Sequence, residues 1–405
     1  KMRRGNWIYY LNCLGLVHGL IHHETRSTAI SRRLHKYKSV EDGFIESKAT
    51  TVAGVLSELW GAILTMPENA EPIALVFPEC SKLQESSHWS ALFEHLECCK
   101  DVCDRFGTRL AVIPSVDGED GRAVVLREVS GETMSNFEDD DDDWELSPEL
   151  LAKLRASQAE EAAEIGSIES DDESTNYVES SDEDILEISK RWVNAVISDA
   201  GICPFSVNAD RAGLPPGNVR YQVTRAPDAE TAYLAYWNEV VALMSATDAE
   251  IATTLLVLAH PRWIRNLEEF ETLGSTLGQA LDTQGLGLDA DLQLVFFHPG
   301  FVFRDGRDRA GEDRAANFAR RSPYPMINIL RTEQVRAAQK GLPTALVYQQ
   351  NELTLAGIGA DLLESMLKDR DWKPLDGKKV DRKQIEVLRL AQDLMKNAAA
   401  ADTDK

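Results

Sequence analysis

Two stretches of this chain alternate between strand-like and helix-like spacing of apolar residues, and they do so in the same order. In the first, a weak strand over 43–46 is followed by helical spacing over 51–64 and an apolar strand over 73–77. A helix over 89–106 and strands over 110–113 and 123–129 complete it. In the second, an amphipathic helix over 185–200 precedes strands at 219–224, 254–259, 292–297 and 326–330. Helical spacing fills 229–244 and 267–281, and the chain ends helically over 345–367 and 382–396. The pattern predicts an α/β protein made of two related open-sheet α/β units in β-α-β-α-β-β order, the second carrying C-terminal helices.

The resemblance extends to residues. Ile73-Ala-Leu-Val-Phe-Pro78 aligns with Leu256-Val-Leu-Ala-His-Pro261, and Pro114 aligns with Pro299, the prolines being 36 and 38 positions apart. Leu126-Arg127 then matches Leu330-Arg331. Shared periodicity of this kind is the signature of an internal repeat. On this alignment Phe77 and Ile113 stand where the second unit has His260 and His298. The helical crossover between the second unit's middle strands makes those strands run in the same direction. Each histidine is then expected at a strand's carboxyl end, where open sheets bind ligands.

Composition divides the chain further. Between Glu132 and Glu187 there are 21 Asp/Glu against 2 Lys/Arg, so most of the net charge of −24 lies there. This segment, 132–184, reads as a disordered acidic linker that cannot bury enough surface to offset its ordering entropy. Ser170, Ser180 and Ser181 each have an acid three residues on, a pattern suited to acidophilic kinases. Residues 1–40 hold 8 Lys/Arg against the single Glu24, with an interrupted apolar run over 8–21. They read as a targeting segment for a plastid or mitochondrion, with a cytoplasmic protein as the alternative; the run is too short and too broken for a membrane span. The remaining boundaries are 41–131 for the first unit, 185–367 for the second and 368–405 for a helical tail. The charge balance outside the linker argues against a basic nucleic-acid-binding surface. Six unevenly spaced cysteines do not form a disulfide framework.

Candidate chemistry concentrates in the second unit. His260 and His298 could act as acid and base, or as metal ligands, near neutrality. Cys203, in Cys203-Pro-Phe-Ser206, is a candidate nucleophile or third ligand, and a buried structural thiol is the alternative. The stretch from Pro299 to Arg331 spans 32 positions where Pro114 to Arg127 spans 13. Its Arg304, Asn317, Arg321 and Ser322 suit a carboxylate or phosphate ligand. No cofactor can be named; a divalent metal on His260, His298 and Cys203 is one reading. His95, Cys99 and Cys103 share one helical face, but that face also carries Trp89, Leu92, Leu96 and Phe106, so core thiols are expected there. Gly285-Leu-Gly287 follows a helix and precedes a strand, the wrong context for a phosphate loop.

Several spaced motifs then occur in order: Arg191-Trp192, Cys203-Pro-Phe205, Thr254-Leu-Leu-Val257 with His260-Pro261, Phe297-His298-Pro299, Asn317, Arg321-Ser-Pro-Tyr-Pro325, Leu330-Arg331 and Asn351. Over about 187–359 the chain resembles the uncharacterised, mainly bacterial family called domain of unknown function 1415. The resemblance implies a boundary and candidate positions, and no reaction. The first unit, linker and tail depart from the compact bacterial pattern and suggest an elaborated, organelle-directed version. The expected function is an enzyme acting on a small anionic metabolite at a His/His/Arg site, with a non-catalytic binding or scaffold protein as the alternative. The expected state is a monomer with an internal pseudo-dimer, in which the first unit is a degenerate partner.

Overall fold

The computed structural model describes residues 44–65, 73–106, 110–118, 121–128, 180–203, 218–259, 263–282, 285–304, 311–339 and 344–377. The segment 1–40, the acidic stretch up to residue 179, His260 and the helix expected over 382–396 lie outside the described residues.

The first unit consists of β1 (Phe44–Glu46), α1 (Val52–Thr65), β2 (Ile73–Val76), α2 (Ser86–Phe106), β3 (Leu110–Gly118) and β4 (Gly121–Glu128). The second opens with α3 (Asp182–Trp192). It continues through β5 (Val219–Thr224), α4 (Ala229–Ser245), β6 (Thr253–Leu258), α5 (Leu267–Leu281), β7 (Leu292–Phe297) and β8 (Met326–Arg331). Three helices follow: α6 (Thr332–Gln339), α7 (Thr344–Ile358) and α8 (Ala360–Asp369). The fold is α/β, with two open four-stranded mixed sheets ordered β1-β2-β4-β3 and β5-β6-β8-β7. In each sheet the first two strands are parallel, and the last strand runs antiparallel between its two neighbours.

Strand register corrects the proline-based alignment. Leu126 faces Ile73 and Val112, while Leu330 faces Thr253 and Gln293. If the Leu-Arg pairs are equivalent, Pro78 corresponds to Leu258 and Pro114 to Val295. Pro114 lies inside β3, paired with Val124, because β3 runs on into a direct hairpin; Pro299 lies past the end of β7. On that frame Phe77 and Ile113 correspond to Val257 and Leu294, so the Leu-Arg match and the match to His260 and His298 do not hold together.

Three helix boundaries also differ from the pattern. Ser181 caps α3 by a capping box with Asp184, and Asp182, Glu183 and Asp184 fill its first turn, where the helix dipole favours carboxylates. These acids, which composition assigns to the linker, thus belong to the fold, and Arg225 at the end of β5 holds Asp182 at 2.7 Å. The helix expected over 345–367 is divided at Gly359, whose φ of 95° no side-chain-bearing residue adopts readily. The short helix α6 was not expected at all.

Side-chain alternation explains the layering. Along β6, Leu256 and Leu258 enter one core, and Leu255, Val257 and Ala259 enter another. A central strand buried on both faces reads as a continuous apolar run, as residues 254–259 do. The second core is closed by α3, α7 and α8. The first core is shared: α4 and α5, lying on the inner face of the second sheet, pack against α1 and α2 of the first unit. Trp60 stacks on Tyr233 with ring centroids 4.7 Å apart, and Phe106 on Trp263 at 5.6 Å. His95, Cys99 and Cys103 are buried in this same core, as thiol packing predicts, and burial lowers the His95 pKa to about 4. No helix among the described residues is long and apolar enough to cross a membrane.

A shared core makes the two units unfold together. Chemical denaturation followed by circular dichroism and by tryptophan fluorescence should give coincident transitions. Trp60→Ala, which empties a site only 2% exposed, should lower stability by about 3–5 kcal/mol and shift both signals equally. Two separate transitions, with only one moved by the substitution, would contradict the shared core.

Candidate functional site

The carboxyl edge of the second sheet is set by strand direction. β6 and β7 both run antiparallel to β8, and Val257 and Phe297 both face Met326, so the two strands leave the sheet at the same edge and level. The Ser322–Pro325 segment closes this edge: Leu258 donates its N–H to Pro325 O at 2.9 Å, and the Ser322 hydroxyl donates to Tyr324 O at 2.5 Å. Ser322 and Tyr324 are fully buried. Arg370 lies over the Tyr324 ring and donates to its hydroxyl at 3.1 Å.

His298 is the first residue beyond β7 and is 2% exposed. Its Nδ1 accepts the Gly300 N–H at 3.1 Å, so Nε2 carries the proton and donates to Ile264 O at 3.3 Å. The Phe270 ring covers it at 5.2 Å. Burial lowers its pKa to about 4, while the carbonyls of Ile264 and Arg265 work in the opposite direction. The imidazole is neutral with both nitrogens engaged, and it ties the 298–301 turn to the start of α5. His260, its expected companion, is outside the described residues.

Residues 305–310 of the Arg-rich stretch, with Arg307 and Arg309, lie outside the described residues, and a nine-residue 3-10 segment, Gly311–Ala319, follows them. Asn317, 3% exposed, accepts the Phe303 N–H on its side-chain oxygen at 3.0 Å. Its own carbonyl accepts the N–H groups of Arg320 and Arg321. Arg321 is half-buried: its Nε donates to Phe301 O at 3.0 Å, and its guanidinium lies 4.8 Å from the centre of the Phe318 ring. Burial lowers its pKa, Glu364 raises it and Arg314 lowers it, and Arg314 is itself paired with Asp361 and Glu364. The terminal nitrogens of Arg321 have no hydrogen-bond or ion-pair partner among the described residues. Arg320, another arginine of the long stretch, lies over Phe297. Arg304 is ion-paired with Glu271 at 2.9 Å.

Cys203 follows a π-helical turn, Val193–Asp199, that continues α3. Its N–H donates to Ile197 O at 3.0 Å, and Asn351 on α7 donates to the adjacent Ile202 carbonyl at 3.0 Å. A π-helical turn has no simple sequence signature, though such turns recur at functional sites. Among the described residues no three His, Cys, Asp or Glu side chains are grouped to hold a metal ion. As a ligand, His298 would have to release Gly300.

Residues 184–365 match the family model described as protein of unknown function (DUF1415). This segment is similar to the DUF1415 family. No curated protein and no solved structure matches the chain. The DUF1415 segment begins in the first turn of α3 and ends in α8, so it takes in the second sheet and both helical layers on it, and leaves β1–β4 outside. Several of its motif positions have plain structural work. Arg331 donates to the Leu243 and Ala246 carbonyls at 2.7 Å each, capping the end of α4 from β8, and Asn351 fixes the turn before Cys203.

Buried neutral histidines make the protein acid-sensitive. For His298 and His95 the folded-state pKa, about 4, lies below the unfolded value of 6.5. The unfolded chain therefore takes up protons first, and stability falls as pH drops from 6.5 towards 4. Each histidine contributes a slope of up to about 1.4 kcal/mol per pH unit. Urea denaturation at pH 7.5 and 5.0 should show this loss, and His298→Gln should reduce the difference between the two pH values. A pH-independent midpoint in the parent protein would overturn the neutral, buried state of these rings.

Proposed function

We propose that the carboxyl edge of the DUF1415 sheet binds a small anionic metabolite through Arg321. The observation that carries this reading is the state of its guanidinium. Nε is fixed by Phe301 O, and one face is covered by Phe318, yet the two terminal nitrogens are uncommitted among the described residues. A planar, oriented fork of donors suits a carboxylate or phosphate, and partial burial strengthens the pairing. Asn317, Ser322 and His298 hold the surrounding turns, and Arg304, already paired with Glu271, contributes less. In this reading His298 positions the site and does not transfer a proton, so any acid, base or nucleophilic chemistry falls to His260 and Cys203. The binding role stands without that chemistry. The same reading takes the chain as a monomer whose first unit is structural. β3 returns to β4 through two residues where β7 reaches β8 only after 28, so the first unit has no counterpart of the Asn317–Ser322 stretch.

Thermal unfolding in increasing inorganic phosphate or succinate tests the reading. One of the two should raise Tm in the parent chain, by the equivalent of about 2.7 kcal/mol at 100 times Kd. The rise should be lost in Arg321→Gln and kept in Arg304→Gln. An equal rise in Arg321→Gln, or none with either anion, would rule it out.

A further inference from the structure

The helices that join the two units are not an arbitrary pair of surfaces. α1 and α4 each connect the first two strands of their sheet, and α2 and α5 each connect the second strand to the third. In the shared core α1 packs on α4 and α2 packs on α5, so each helix meets its own counterpart. Counted from their first residues, the seven positions buried in α1 (first, second, fourth, fifth, eighth, ninth and twelfth) are all buried in α4, which adds its eleventh, Glu239, and its fifteenth, Leu243. The ninth is a tryptophan in both, Trp60 and Trp237. Six of the eight residues buried in α2 recur in α5 at a constant offset: Leu92, His95, Leu96, Cys99, Val102 and Cys103 correspond to Phe270, Leu273, Gly274, Leu277, Ala280 and Leu281, while Trp89, Ala91 and Thr276 have no buried counterpart.

The contacts are also reciprocal. Ser57, sixth in α1, donates its hydroxyl hydrogen to the side-chain oxygen of Asn238, tenth in α4, at 2.6 Å. Gly61, tenth in α1, lies against Leu234, sixth in α4: a Cβ on Gly61 would meet the Leu234 Cδ1 at 3.9 Å. A surface in which position i touches j and position j touches i is the mark of a two-fold, isologous interface. An unrelated covering domain has no reason to produce it.

We propose that the α4–α5 face of the DUF1415-like domain is a self-association surface whose partner is a second copy of that domain. Residues 44–128 are a fused, diverged copy that fills the partner's place. The face carries large apolar side chains that the first unit covers: Tyr233 stacks on Trp60, the Trp237 ring meets His95 edge-on at 6.1 Å, and Leu234 lies against Gly61. This inference goes beyond the anion site and does not depend on it.

The test keeps the whole chain. A protease site is placed within residues 131–179 and cut after folding, and the product is followed by native mass spectrometry without unfolding. The uncut chain should be a monomer, and the cut chain should first appear as a 1:1 complex of its two pieces. On dilution and incubation, a homodimer of the second piece should appear and should disappear when excess first piece is added. With Leu234→Arg in the second piece, that homodimer should be lost. Release of the second piece as a persistent monomer would overturn the proposal, as would a homodimer indifferent to Leu234→Arg. A 1:1 complex that never exchanges to the homodimer at any dilution would overturn it as well. Anion-induced stabilisation of the uncut chain is a separate readout, so failure here leaves the Arg321 site to be judged on its own.

Discussion

Burial on both sides of the second sheet is the constraint from which the rest follows. β6 carries apolar side chains on both faces, so the sheet needs a helical layer on each. The outer layer, α3 with α7 and α8, meets solvent on its far side. The inner layer does not. α4 is buried at Tyr233, Tyr236 and Trp237 as well as along its sheet-facing positions, and a helix with so wide an apolar surface must be covered from both directions. α1 and α2 supply that cover, and their own sheet completes a stack of sheet, helices, helices and sheet around one core.

Polar contacts at the rim and within this interior fix its register, Ser57 with the exposed Asn238 lying at the rim. Ser57 with Asn238, and Lys82 with the Gly287 carbonyl at 2.8 Å, span the two units. Tyr233 and Thr276 share a hydrogen bond of 2.7 Å in the middle of the apolar layer. Each contributes little net free energy, but sliding the helices would leave the buried Tyr233 and Thr276 hydroxyls without each other. Arg220, paired through two nitrogens with the nearly buried Glu239, does the same between β5 and α4. The edge site is therefore built on a scaffold whose strands and helices are held in one register from both sides.

At that edge, most motif residues hold backbone in place. His298 fastens a turn, Asn317 gathers three N–H groups, Ser322 binds a nearby carbonyl, and Arg331 caps a helix. Such residues commit their polar atoms to the chain itself, which leaves Arg321 distinct. Its Nε and one face of its guanidinium are engaged, and its terminal nitrogens have no partner among the described residues. A site needs both kinds of residue, because a guanidinium on an unfastened loop would lose its orientation on binding.

The sequence by itself determined the element order, the α/β class and the second unit's strands almost to the residue. Those features depend on local periodicity, and 267–281 and 292–297 were legible from spacing alone. It also isolated the long stretch between Pro299 and Arg331 and the residues His298, Asn317, Arg321 and Ser322 within it. The pairing frame needed the tertiary structure. Proline spacing suggested one alignment of the halves and strand register imposed another, because hydrogen-bonded register depends on which strands become neighbours. The same holds for the acids at 182–184, whose composition matches the linker and whose capping geometry makes them helix. Most of all, a residue's type does not reveal where its lone pairs will be used. The histidine of Phe297-His298-Pro299 reads as a catalytic candidate, and only the fold brings Gly300 and Ile264 to its two nitrogens and Phe270 over its face.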